Sequence, residues 1–419
     1  MSTKDIRSIL GGFTPSTLGK AANRFGHQIA VMNARAAAST EQFGESCLLA
    51  GPSWSKDQLR ALVGKTGGYP ETVGGHPDFD YLGHDQTEHH YIVSVFADIK
   101  GSTKLATKLP LEDVRQIKNG SLTTMLDIVH AFDGHVHRLQ GDGVLAFFGR
   151  KGMRPSQAII DALNAVSFLQ YFFQNVLRPM FEEQGYPPIR IRVGVDFGPD
   201  DKVLWSRYGI RYCDEVTTTS MHTDLASKLQ GRSKSNGVMI GDNVRSHLDL
   251  PNEFYCCKMV TRDGQNAPDR YVLQFQDTTY NMWEFDWEKY LRRFLINPDR
   301  LDTGVCKAGE RFRFECYYKV GESWQYYHPN SVPLPKGVDL EFRLSDIIFR
   351  YDTITWRVNN RGEEATNANQ LDFEMKKSAD KKGCLQSTAY KGHHYMICTM
   401  KHQGRILAKE RIGVYVNDN

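Results

Sequence analysis

Tyr91-Ile92-Val93-Ser94-Val95-Phe96-Ala97-Asp98 is a run of β-favouring residues that stops at an acid, and Gly101-Ser102-Thr103 then turns the chain toward a helix expected over residues 104–132. Two short strands follow, over 134–138 and 144–148, around Gly141-Asp142-Gly143. Asp and Gly tolerate positive φ, so that tripeptide makes a tight hairpin turn with an acid at its tip. A second long helix is expected over 155–184 and another strand over 189–197, with strand, loop and short helix continuing to residue 250. Strand, helix and hairpin in this order define a mixed α+β domain.

Asp98 leaves one strand and Asp142 sits on the next hairpin. If these strands are neighbours, the carboxylates converge as hard oxygen ligands for two divalent cations, Mn²⁺ or Mg²⁺, whose shells a substrate phosphate completes. The backbone of Lys100 to Thr103 leads toward a helix N-terminus, where amides can cradle a triphosphate. Each motif alone is an ordinary turn, and only the two acids in order carry information.

Outside this segment, Leu18, Ala21, Ala22, Phe25, Ile29 and Met32 recur at helical spacing behind Thr14-Pro15-Ser16, and a Gly-, Pro- and Asp-rich stretch over 51–81 reads as a connector. Trp283, Trp287, Tyr290, Leu291 and Phe294 fall at helical spacing and predict an amphipathic connector. Short strands separated by Gly, Asn and Pro turns follow, the pattern of a β-sandwich. The expected order is a helical extension and linker over 1–88, a catalytic domain over 89–275, a helical connector over 276–296 and a β-rich domain over 297–419.

The chain has 419 residues, 40% hydrophobic and 24% charged, with a net charge of +3 mixed along its length, which argues against a nucleic-acid polymer or an anionic membrane as partner. The apolar stretch 158–177 is broken by Asp161, Asn164, Gln170 and Gln174 and reads as an amphipathic helix. The N-terminus has no signal-peptide pattern, so a cytoplasmic protein with reduced thiols is expected, and its eight cysteines show no zinc spacing. The histidines of the pairs 89/90 and 393/394 face opposite ways on a strand, while His135 and His137 share a face and line a pocket or cover the hairpin.

Phe96-Ala97-Asp98-Ile99-Lys100-Gly101-Ser102-Thr103 with Arg138-Leu139-Gln140-Gly141-Asp142-Gly143 resembles the class III adenylate/guanylate cyclase catalytic domain, a ferredoxin-like, palm-type fold. The resemblance implies that Asp98, Asp142 and the backbone of Ile99 bind metal and that Gly101, Ser102 and Thr103 hold phosphates. Arg138 stands where the family reads the base. Asp224-Leu225-Ala226-Ser227-Lys228-Leu229 matches the family's later motif and puts Thr217 at the base-selecting position, Asp224 at the ribose and Lys228 at the transition-state phosphate. In the family the pocket lies between two catalytic domains, which implies a homodimer.

The departures have consequences. Thr217 in place of an Asp is neutral, and it can donate or accept, which argues against adenine. Arg138 offers a rigid fork suited to the carbonyls of a smaller base, a pyrimidine, with guanine as the other option. Lys228 keeps charge and loses bidentate geometry, while Asp224 loses an amide donor.

Ile354-Thr355-Trp356-Arg357-Val358-Asn359-Asn360-Arg361-Gly362 and Tyr390-Lys391-Gly392-His393-His394-Tyr395 resemble the adenylyl/guanylyl and SMODS C-terminal sensor domain. Together the two domains resemble the pyrimidine cyclases of bacterial antiphage (Pycsar) systems. That implies conversion of CTP or UTP to a 3′,5′-cyclic monophosphate and pyrophosphate, with an effector that responds to the product. A purine cyclase and a degenerate nucleotide-binding module are the competing expectations; Thr217 serves uracil or cytosine equally.

Overall fold

The computed structural model describes residues 60, 64–68, 71–211, 213–273, 278–291, 312–375 and 382–417. The helix expected behind Thr14 lies outside the described residues.

The catalytic portion opens with β1 (Thr87–His89) and β2 (Ile92–Ile99), then α1 (Leu111–Ala131), the hairpin β3 (His135–Gln140) and β4 (Gly143–Phe148), and α2 (Pro155–Phe172). A π-helical turn (Phe173–Leu177) joins α2 to α3 (Arg178–Glu183). β5 (Ile191–Gly198), β6 (Leu204–Ile210), β7 (Cys213–Thr219), α4 (Met221–Arg232), β8 (Gly237–Gly241) and α5 (Asp242–Leu248) follow. The portion closes with β9 (Tyr255–Cys257), β10 (Met259–Arg262), β11 (Gln265–Pro268), β12 (Arg270–Leu273), β13 (Thr278–Phe285) and α6 (Trp287–Tyr290).

Its main sheet has the order β12-β13-β8-β5-β2-β4-β3, with β9 also paired to β13. Alternation along β2 sends Val93, Val95, Ala97 and Ile99 to a core shared with α1 and α2. It sends Ile92 and Phe96 to the opposite face, where Leu145, Phe147, Val203, Trp205 and Val216 pack. That second face is covered partly by the three-stranded arm β1-β6-β7 and partly by α4.

Three expectations need correction here. The helix expected from residue 104 starts at Leu111, after a 3-10 turn over Ser102–Lys104. Pro110 enforces this, because the residue before a proline is pushed out of the α region. The connector helix expected from residue 276 is a strand up to Phe285: β13 pairs with β8, β9 and β12, and a helix begins only at Trp287, capped by Asp286. Trp283 therefore sits on a strand, donating to Asp242 (2.9 Å), and its helical spacing to Trp287 and Tyr290 spans a strand–helix junction. The segment 158–177 is buried nearly all round rather than amphipathic. Its polar residues find partners on several sides: Asn164 donates to the Asn330 carbonyl of the β-rich portion (3.2 Å), Gln170 to the Gly237 carbonyl (2.8 Å), and Asp161 meets Lys65 (2.6 Å).

Beyond residue 312 two four-stranded sheets stack as a sandwich. One contains β14 (Arg313–Val320), β15 (Ser323–Tyr326), β16 (Asp339–Ser345) and β19 (Gly383–Ser387). The other contains β17 (Thr353–Asn359), β18 (Asp372–Glu374), β20 (Gly392–His402) and β21 (Arg405–Val416). Trp356, fully buried, sits between them with Phe342, Met396 and Ile412. The two portions share a core boundary, since Tyr395 and Tyr415 pack into the catalytic cluster. Asn330 donates to the Tyr290 hydroxyl (2.7 Å), Tyr395 donates to Glu253 (2.6 Å), and the Glu363 amide donates to Asp249 (2.7 Å).

Candidate active site

The two acids meet at the end of the β2–β4 pair. Ala97 lies opposite Val144, which sets Asp98 beside Gly143. The strands come so close that a Cβ on Gly143 would lie 2.8 Å from the Ala97 carbonyl oxygen and 3.1 Å from Asp98 Cβ. Gly141, with φ of 67°, makes the turn that presents Asp142. Burial pushes the Asp98 carboxyl above its usual range; the Arg192 guanidinium pulls it down and the Asp142 charge pushes it up again. Arg192, the cross-strand neighbour on β5, grips Asp98 through two bonds of 3.2 and 2.8 Å, and Lys118 stands 4.0 Å from Asp142.

Among the described residues no group of three or more His, Cys, Asp or Glu forms a metal cluster. Two converging carboxylates fit Mg²⁺ or Mn²⁺ all the same, because such ions are held by one or two carboxylates plus substrate phosphates. The fit is visible in the half-buried Asp98, which stands against the charge of Asp142 and has recruited a guanidinium as counter-charge. Ile99, next to Asp98, buries its side chain in the main core, so only its backbone remains for a ligand. Gly101 (φ 76°) starts the 3-10 turn, and the amides of Gly101, Ser102 and Thr103 make no backbone hydrogen bond among the described residues.

Arg138 emerges on the second face of the sheet, and the arm and α4, which cover that face, carry Thr217, Asp224 and Lys228. A bulge between Val136 and Arg138 breaks the alternation of β3. Arg138 consequently pairs with Leu145 and His135 with Phe147, both on the arm side of the sheet, and His137 stacks on Phe147 at 4.9 Å. Regular alternation would have put Arg138 on the opposite face from His135 and His137. Arg138 is instead held bidentately by Glu215 of β7, with Nε on Oε1 and Nη2 on Oε2. Burial pushes the His137 imidazole down to about 4; its Nδ1 lies 3.1 Å from the Gly74 carbonyl and its Nε2 3.2 Å from Glu215. Thr217, half-buried, follows Glu215 by two residues and so shares its face of the strand.

α4 starts at Ser220, whose hydroxyl accepts from the His222 amide (3.2 Å), and buries Leu225, Ala226 and Leu229 while Asp224 and Lys228 stay exposed one turn apart. Its seat is fixed by a buried network: Asp196 accepts from Tyr280 (2.7 Å) and meets His222 Nδ1 (3.0 Å). Thr223 bridges to Ser94 (3.0 Å) and Thr218 (2.9 Å), tying α4 to β2 and β7. No hydrogen bond or ion pair among the described residues joins Arg138, Thr217 or Asp224 to either acid. Glu215 and Arg192 were not anticipated. Glu215 carries one local signal, its shared face with Thr217, whereas Arg192 carries none before strand register is known.

The fold and this site define a class III nucleotide cyclase: residues 85–274 match the adenylate and guanylate cyclase catalytic domain, and 285–417 match the adenylyl/guanylyl and SMODS C-terminal sensor domain. The chain belongs to this cyclase family in its form with the sensor domain attached. A cytidylate cyclase of Staphylococcus aureus is 40% identical over 372 residues, covering 86% of this chain and 87% of its own. One from Escherichia coli is 31% identical over 363 residues, covering 81% and 77% respectively. An adenylyl cyclase structure from P. aeruginosa matches 48% of this chain and 95% of its own at 21% identity and a TM-score of 0.40. No helix among the described residues is long and apolar enough to cross a membrane.

Proposed function

We propose that this protein is a pyrimidine nucleotide cyclase that converts CTP, with UTP as the alternative, to its 3′,5′-cyclic monophosphate and pyrophosphate. The bond from the 3′-oxygen to the α-phosphorus forms, the α–β bridge breaks, and the hydroxyl proton is released. The observation that carries this is the convergence of Asp98 and Asp142 at one end of the sheet. The cytidylate cyclase activity of two relatives supports the choice of base.

Asp98, Asp142 and the backbone of Ile99 hold two divalent cations. When bound, these supply Lewis acidity at the 3′-hydroxyl and at the leaving pyrophosphate. The free amides of Gly101, Ser102 and Thr103 bind triphosphate oxygens. Arg138 and Thr217 face the base, Asp224 accepts from a ribose hydroxyl, and Lys228 donates to the α-phosphate as charge develops.

The working unit is a homodimer with two equivalent sites, in which the acids of one subunit face α4 and the arm of its partner. Tyr208 and Ile210, exposed at 48% and 74% near the tip of the arm, support this. We read the product as a second messenger for an effector in antiphage defence.

Incubation of the protein with equimolar ATP, GTP, CTP and UTP and Mn²⁺ or Mg²⁺, read by mass spectrometry, tests the activity. Cyclic CMP or cyclic UMP as main product is the expected result. Cyclic AMP or cyclic GMP overturns the choice of base, and nucleotide binding with no pyrophosphate release overturns the enzyme.

A further inference from the structure

We infer that Glu215 is a specificity-determining residue that selects cytosine over uracil, acting with Arg138 as one hydrogen-bonding edge. The inference rests on the pyrimidine cyclase reading and deepens it.

A bidentate guanidinium–carboxylate pair is planar, so its outer rim presents a fixed order of groups. Arg138 spends Nε on Oε1 and one hydrogen of Nη2 on Oε2. The second hydrogen of Nη2 and both hydrogens of Nη1 make no hydrogen bond to a described residue. Read along the rim, the order is acceptor, donor, donor: Oε2, Nη2, Nη1. The edge of cytosine offers the complementary order, the N4 amino donor followed by the N3 and O2 acceptors. Uracil offers O4, N3–H and O2. Placed on the same rim, it opposes O4 to a carboxylate and N3–H to a guanidinium N–H, two mismatches in three positions.

Three further observations fit this role. The pair is reachable, with side chains 44% and 34% exposed, and it lies on the strand face that Thr217 shares. From behind, His137 Nδ1 lies 3.1 Å from the Gly74 carbonyl and its Nε2 3.2 Å from Oε1, so the imidazole backs the carboxylate on its buried side. The bulge at His137 is what turns Arg138 toward Glu215, so the backbone is built for this pairing. Thr217 alone tolerates either pyrimidine, because its hydroxyl donates or accepts; the carboxylate only accepts.

The test uses the full-length protein with equimolar CTP and UTP, the cyclic CMP to cyclic UMP ratio being read by mass spectrometry for wild type and Glu215→Gln. Glutamine keeps the length and adds an N–H₂ that can donate to O4. The expected result is a wild type that favours cyclic CMP and a variant whose ratio falls about 10- to 100-fold, with turnover of UTP retained or raised. An unchanged ratio with slower turnover of both triphosphates overturns the inference, leaving Glu215 as a strut for Arg138. It would leave the pyrimidine cyclase reading standing. A wild type that yields cyclic UMP or purine products overturns it as well, and purine products overturn the underlying reading too. Should Glu215→Gln turn over neither substrate, the CTP and UTP dissociation constants, measured by calorimetry with Ca²⁺, decide the matter. A converging pair supports the inference, and a wild-type ratio overturns it.

Discussion

Gly194→Ala is expected to disable the enzyme from a position that touches no substrate. Gly194 lies in β5, directly under α4, and a Cβ there would sit 2.2 Å from the Ala226 carbonyl oxygen and 2.3 Å from the Gln230 amide nitrogen. Both are backbone atoms of a helix, so no side chain can rotate aside. Since ordinary contact begins near 3.4 Å, α4 must withdraw by about 1.2 Å. Overpacking of this kind costs about 3 kcal/mol, the upper end of the usual range, and lowers the melting temperature by roughly 6–12 °C. The helix carries Asp224 and Lys228, and a displacement of about 1 Å at positioning groups costs on the order of 100-fold in rate. Cyclic nucleotide formation at 25 °C, well below the melting transition, separates the two effects. A variant with a lowered melting temperature and full activity would refute a catalytic role for α4. Unchanged stability would refute the close contact itself.

Asp142→Ala is expected to yield no cyclic product above background, because Asp98 alone would hold the proposed pair of cations poorly; full activity would remove the metal assignment. Asp161, completely buried against Lys65 (2.6 Å) and Gln157 (2.9 Å), has its carboxyl pushed up by burial to about 6 from 3.8. The folded state therefore prefers the protonated acid, and this group's contribution to stability falls as pH rises from about 4 to about 6. Denaturation curves should show that decline in wild type relative to Asp161→Asn, and parallel curves would contradict it. Asn330, at φ 52°, donates to Tyr290 across the boundary between the two portions. Asn330→Ala should cost about 2–4 kcal/mol in urea denaturation, and Asn330→Gly should recover the backbone part of that loss, about 1–2 kcal/mol. Equal losses would show that the left-handed backbone contributes nothing.

The acids were legible because each belongs to a local pattern: Asp98 ends a β-rich run, and Gly141-Asp142-Gly143 is a turn whatever surrounds it. That the two stand side by side needs only that consecutive strands pair. Arg192 and Glu215 were not legible, since both act through partners 94 and 77 residues away whose alignment depends on register. The misread connector has a related cause. Trp283, Trp287 and Tyr290 match a helix in spacing, but β13 gains ladder bonds with β8, β9 and β12, which no local count registers. The helix expected from residue 104 failed for a local reason that was on view, the proline at 110.

The bulge in β3 makes the position of Arg138 a matter of parity. A strand has two sides, and every residue added or removed exchanges them for all that follows up to the next fixed point. Here the fixed point is the Gly141-Asp142-Gly143 turn, so the count from Asp142 back to Arg138 is preserved whatever happens upstream. Upstream, the bulge absorbs the extra residue: Val136 pairs with Ala146 and His135 with Phe147 across it, so losing His137 would straighten the strand and leave both on the sides they have now. What would go is the imidazole stacked on Phe147 and set against Glu215. A chain can thus keep every motif letter and spacing of this site and still lose the wall behind it to a single deletion.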